Sequence, residues 1–192
     1  MDKNKMINFD CILDSDGFVK IFSHDTSGGV FKSKEDALRK NSNNPDAKLF
    51  SILDALTLNS EGSLTKIRDE QGNFHFKICF PELKTRQWEG KKREDGYCNE
   101  WLQSSNPVEE SVVKGFQALD LIFTKDGAQG PWHGLGKGGE EDIALIDDTG
   151  AEHYYWMAVG ATKLTPYYGK DAIPGPWLTP VKQVELYVKS VS

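Results

Sequence analysis

The sequence has few cysteines, no long apolar run and no concentrated basic charge, and each shortage removes a class of protein. Three cysteines in 192 residues, Cys11, Cys79 and Cys98, are too few for a small disulfide scaffold, and the odd number leaves at least one thiol unpaired. Without a C-x-x-C pair, a zinc ribbon and a thioredoxin-type redox site are both excluded. No apolar stretch approaches the ~20 residues that span a bilayer, so no transmembrane segment is expected. The opening Met1-Asp2-Lys3-Asn4-Lys5-Met6 holds no apolar h-region, and no signal peptide is expected there. The densest basic cluster, Lys91-Lys92-Arg93, runs straight into Glu94 and Asp95. With a net charge of −6, the chain lacks the Lys/Arg footprint that nucleic-acid phosphates demand.

What is present fits an ordinary globular chain. Hydrophobic residues make up 38%, with 18 glycines besides, and aromatics make up 11%, too rich in core-formers for disorder. The length suits one domain over residues 1–192. If one disulfide forms, Cys79 with Cys98 is the natural pair, since it joins two segments that read as structured. Three reduced, buried thiols is the other reading, and cysteine use alone leaves the compartment open.

Ile7, Phe9, Cys11 and Leu13 alternate with polar residues and face Phe18 to Phe22 across Asp14-Ser15-Asp16-Gly17, a hairpin with a turn-forming centre. Ser33 three residues before Asp36 is a short capping box leading into Ala37-Leu38. Asn44, Pro45 and Asp46 then suit a helix start, and Leu49, Ile52, Leu53 and Leu56 follow at helical spacing, so a second short helix with one buried face is expected. From residue 74 the period becomes two: Phe74, Phe76, Ile78 and Phe80 read as a half-buried strand that Pro81 ends. Further strands are expected over Val112 to Phe123, Ile143 to Ile146, Tyr154 to Gly160 and Gln183 to Val188, with a bend at Gly115. Short strands, long Gly/Pro-rich loops and early helices predict a mainly β chain. The expected architecture is an antiparallel β-sandwich with two short helices in the N-terminal third.

The unusual segments read as loops. Residues 81–107 carry Trp88, Tyr97, Asn99, Trp101, Gln103 and Asn106; residues 127–139 carry Trp132 and His133 among glycines; and Asp147-Asp148 leads into Tyr154. A connection as long as the first is functional or disordered, and its aromatics argue against disorder. Aromatic faces beside amide and carboxylate groups are what a neutral polar ligand such as a sugar needs. On this reading Trp88, Asn99, Trp101, Gln103, Asn106, Trp132, His133 and Tyr154 form a ligand site at one pole of the sandwich. Each tryptophan has an equally physical role as a core anchor, and each amide as a partner for loop backbone. Asp147 and Asp148 offer oxygen ligands to calcium, though paired carboxylates also occur as solvated turns.

Other chemistries find little support. The four histidines are scattered and no H-E-x-x-H occurs. Asp14-Ser15-Asp16-Gly17 places its glycine wrongly for an EF-hand. Gly134-Leu135-Gly136-Lys137 is not a phosphate loop, and no Gly-x-Ser-x-Gly elbow exists.

Trp88, the run Cys98-Asn99-Glu100-Trp101-Leu102-Gln103-Ser104-Ser105-Asn106-Pro107, Gly115-Phe116, Tyr155-Trp156 with Ala158-Val159-Gly160, and Ile173-Pro174-Gly175-Pro176 together resemble lectin-like or fibrinogen-related modules of secreted and cell-surface proteins. The resemblance spans about the C-terminal two-thirds. The cysteine pairs and Trp-Asn-Asp signature of C-type lectins are missing, so their calcium site is not carried over. The resemblance implies recognition rather than catalysis; with the aromatic and amide-rich loops, the expectation is a non-catalytic, adhesion-type module binding a glycan or a surface partner, extracellular or at the cell surface as part of a larger protein. Two alternatives stand beside it. One is a carbohydrate-active enzyme, a glycosidase or lyase, using His133 or His153 with a carboxylate or Tyr154. The other is a structural domain of a larger extracellular assembly.

Overall fold

The computed structural model describes residues 13–57, 66–83, 97–119, 133–138, 143–148, 157–167, 170–175 and 180–191. At its start, Asp14 builds the turn the sequence predicts. Its Oδ1 accepts the backbone N–H of Asp16 and of Phe18, both at 2.9 Å, and Gly17 takes φ 81°, where a side chain would be strained. The other arm of that expected hairpin lies mostly outside the described residues, with a bridge from Leu13 to Val19 at its edge.

Strand β1 (Phe18–Asp25) leads to α1 (Lys34–Leu38), then β2 (Arg39–Lys40) and β3 (Leu49–Ile52). The cap is present: Ser33 Oγ accepts the N–H of Asp36 at 3.1 Å, and Asp36 Oδ2 reaches past the cap to accept the N–H of Lys32 at 3.0 Å. The expected second helix is corrected. Leu49–Ile52 is a strand, and only Leu53–Thr57 turns, as a 3-10 helix. Leucines and isoleucines at helical spacing also satisfy a strand followed by one tight turn. Pairing of β3 with β1 on one side and β2 on the other decides between them. Phe50, Ser51 and Ile52 are buried in succession, so both faces of β3 are covered.

Strand β4 (Phe74–Phe80) alternates as expected and enters through Asp69, whose Oδ1 accepts the N–H of Gln71 at 3.0 Å and of Asn73 at 2.7 Å. The expected loop over residues 81–107 is corrected at its end: β5 (Tyr97–Gln103) pairs with β4 along its whole length. The expected strand from Val112 shrinks, among the described residues, to β6 (Gln117–Ala118). Before it, Gly115 at φ 66° packs against Ser104, and Val112 is exposed. The chain continues with β7 (Leu135–Lys137), β8 (Ala144–Asp148), β9 (Val159–Ala161), β10 (Thr165–Tyr167), β11 (Lys170–Pro174), β12 (Pro180–Val181) and β13 (Gln183–Lys189).

Seven strands form one antiparallel sheet in the order β2-β3-β1-β13-β4-β5-β6, so the last strand is inserted at its centre between β1 and β4. Two three-stranded sheets, β7-β8-β9 and β10-β11-β12, add their apolar residues to the same core. The fold is mainly β and antiparallel, and among the described residues its short helical turns lie in the N-terminal third. Phe22, Phe76, Ile78, Trp101, Leu186 and Val188 line the inner face of the large sheet, with Leu135, Ile146, Val159 and Ile173 in the same cluster. Gly160, at φ 73°, lets α1 close on β8 and β9: a Cβ there would stand 2.9 Å from that of Ala37. Among the described residues no helix is long and apolar enough to cross a membrane.

Candidate functional site

Because side chains alternate along a strand, every inward residue of the large sheet leaves its neighbours on the opposite face. That outward face is not a plain solvated one. Cys79 and Cys98 stand opposite each other on β4 and β5 and form a disulfide, with Cα atoms 4.1 Å apart, as the sequence pairing anticipates. Lys20, Tyr187, Lys77 and Glu100 lie in one cross-strand row over β1, β13, β4 and β5.

The charges on this face are organised. Lys20 pairs with Glu185 at 3.0 Å, and Tyr187 donates its hydroxyl to the same carboxylate at 2.7 Å. Lys77 pairs with Asp14 at 2.7 Å and lies over the rings of Phe18 and Tyr187, at 4.1 and 4.9 Å. Burial pushes the Tyr187 hydroxyl well above its ordinary value, and Glu185 and Asp14 push it the same way. Burial raises Asp14, but its hydrogen bonds to Lys77 and to the backbone of Phe18 and Asp16 outweigh that, leaving the carboxyl below its usual range.

His75 sits where this network meets an opening. Its Nε2–H donates to Glu100 Oε2 at 2.9 Å, an orientation dictated by a carboxylate that can only accept. Phe18 meets the imidazole edge-on at 4.9 Å. Burial lowers the His75 pKa, Glu100 opposes it, and the charges of Lys189 and Lys77 lower it further; the net value is below 6.5. The ring is therefore neutral at pH 7, with Nδ1 left as an acceptor. Beside it opens a cavity of about 300 Å³ whose lining includes Asp69, Asn73, His75, Leu102, Lys189 and Ser190. Leu102 gives an apolar patch, the imidazole a flat one, and the amide, hydroxyl and ammonium groups give hydrogen-bonding capacity.

The residues expected to bind ligand lie elsewhere. Asn99, Trp101 and Gln103 occupy the inner positions of β5, opposite Ile78, Phe76 and Phe74. Trp101 is fully buried against Phe76, and its Nε1–H donates to Gln103 Oε1 at 2.7 Å, so it offers no stacking face. Gln103 is committed as well: its Oε1 accepts the N–H of Leu135 at 3.1 Å, and its Nε2 donates to Ser105 O and Leu135 O, both at 2.9 Å. Asn106 donates to Leu56 O at 2.9 Å and accepts the N–H of Val108 at 3.0 Å. These two amides tie loops to the core, which corrects their expected ligand role. Asn99 is 1% exposed, and neither end of its amide has a partner among the described residues.

The segments themselves do meet. Gln103 clasps β7, Gly136 pairs with Asp147, and Leu135 pairs with Asp148, so the β5 end, the His133 strand and the β8 aspartates adjoin. The junction is packing. His133 is exposed and edges Phe116 at 6.1 Å. Asp147 is buried, and burial pushes its carboxyl up to about 6 despite the charge of Lys34. Asp148 is placed by its backbone in β8. Trp88, Trp132 and Tyr154 lie outside the described residues. No three His, Cys, Asp or Glu side chains among the described residues gather as a metal site.

The histidine site has no motif signature. Its sequence signal was the outward set of β4 and β13, where His75 and Lys77 face Glu185, Tyr187 and Lys189, a richer mixture than a solvated strand face carries. No family model, no curated protein and no solved structure matches this chain.

Proposed function

We propose that the protein is a non-catalytic recognition module and that the outward face of its large sheet holds a saccharide unit in the cavity beside His75. The observation that carries this reading is the cavity lining. Leu102 and the imidazole provide low-polarity surface, and Asn73, Ser190 and Lys189 surround it with donors and acceptors. A sugar ring presents an apolar face and a rim of hydroxyls, which that combination matches. Its position on a rigid sheet, braced by Lys77–Asp14 and His75–Glu100, supports binding with little reorganisation.

The Cys79–Cys98 disulfide supports an oxidising location, which favours a module outside the cell or at its surface, as part of an adhesive or receptor-like protein. Calorimetric titration of neutral and acidic oligosaccharides into wild type, Asn73→Ala and Leu102→Gln tests the reading, once all three are shown to be folded. Binding by wild type that weakens about tenfold or more in both variants supports it. Absence of binding to every saccharide, or equal binding by all three proteins, overturns it.

A further inference from the structure

We infer that the saccharide taken by this cavity is an acidic one, its carboxylate held by Lys189 and its ring laid on Leu102. The inference rests on the recognition reading above and narrows its ligand class. On this face the neighbouring lysines already have anions: Lys20 has Glu185 at 3.0 Å and Lys77 has Asp14 at 2.7 Å, while the neutral His75 ring occupies Glu100 at 2.9 Å. Lys189 has no carboxylate within ion-pair distance among the described residues. Its ammonium lies 5.5 Å from the Phe18 ring, a contact that leaves its donors open.

The carboxylates near the cavity do not fill that role. Asp69 accepts the backbone N–H groups of Gln71 and Asn73 at 3.0 and 2.7 Å, and its second oxygen faces Asn73 Nδ2 at 3.4 Å, so it serves its own turn. Glu100 is engaged by His75. A half-buried lysine with no counter-ion among the described residues offers a place for one negative charge. One point charge matches a monoanionic carboxylate better than a phosphate dianion, which is held by several cations or by the fork of an arginine.

The volume points the same way. About 300 Å³ is the lower end of small-molecule sites and suits one sugar residue. With Lys189 on the carboxylate, Leu102 faces the ring carbons, and Asn73 and Ser190 reach its hydroxyls. The chain's net charge of −6 does not oppose this, because screening confines its field to about 8 Å at physiological salt while Lys189 acts at contact.

Matched probes decide the matter. Methyl glycosides of glucuronic and galacturonic acid are titrated against the methyl glucoside and galactoside, with acetate as the carboxylate alone, at pH 7. Wild type is expected to bind at least one uronide about tenfold more tightly than its neutral partner, with the preference shrinking as salt rises. Lys189→Gln should erase the preference, with uronide binding falling to the level of the neutral glycoside or below, and Lys189→Arg should keep it. Equal binding of uronide and neutral glycoside by wild type overturns the inference and leaves the recognition reading intact. Acetate competing as well as the uronides overturns the ring placement on Leu102. Binding of no glycoside at all overturns the inference together with the reading it rests on.

Discussion

Nε2 of His75 on β4 and Oε2 of Glu100 on β5 lie 2.9 Å apart across two neighbouring strands, and the pair holds the imidazole at the mouth of the outward cavity. This contact should govern how the face responds to acid. His75 and His24 are both held below 6.5, burial being the largest cause in each, with Gly29 O and Asp25 opposing it at His24. The unfolded chain therefore takes up protons at these sites before the folded one does, so stability is lost as pH falls from about 6.5 through the lower folded values. Urea unfolding at pH 7.5 and 5.5 should show that acidification costs wild type more stability than it costs His75→Gln, every other titrating group being common to the two proteins.

Asp147 should act in the opposite sense. Its folded value of about 6 lies above its ordinary 3.8, so the folded state holds a proton that the unfolded state releases. Asp147 thus weakens the fold as pH rises from about 4 to 6. Asp147→Asn should raise stability at pH 7 by up to about 3 kcal/mol, with no gain at pH 3.5. A variant less stable than wild type at pH 7 would show that the carboxylate has a partner needing its charge.

Gln103 is the inner clasp between β5 and β7. Gln103→Ala leaves Trp101 Nε1 and both backbone groups of Leu135 without their partner inside the core. Each such group costs about 1–3 kcal/mol, so a loss of at least 3 kcal/mol in chemical denaturation is expected.

Asn99 gives the reverse case. Its amide is buried with neither end paired among the described residues, so Asn99→Leu removes two unsatisfied groups and should leave stability equal or higher. A marked loss of thermal stability in that variant would mean the amide is engaged.

The disulfide spans 19 residues of sequence. Closing a loop of that length constrains the unfolded chain, and removing the bridge by Cys79→Ala with Cys98→Ala should cost about 3 kcal/mol. Comparing the midpoints of wild type and the double variant in guanidinium checks it.

These residues also show which parts of the fold could be read in advance. Asp14 to Gly17 was legible as a turn because Asp and Gly carry their own mechanism. The strands β4 and β13 were legible because their inner residues are all apolar. Strand β5 was hidden because two of its inner positions are Asn99 and Gln103, so its alternation reads as polar loop. The same polarity drew a ligand site onto residues that the fold uses as internal ties. Leu49 to Leu56 misled for another reason: their spacing fits a helix, and only pairing with β1, distant in sequence, selects the strand. His75 drew no attention because an outward strand residue is ordinarily solvated, and its partners come from other strands.

Amide chemical-shift mapping of the 15N-labelled protein during saccharide titration tests the central claim most directly. The account predicts that shifts concentrate at Asn73, His75, Leu102, Lys189 and Ser190, leaving Trp101, Gln103 and Asn106 nearly unmoved. Saturable shifts centred on His133 and Asp147, with the cavity residues silent, would contradict it.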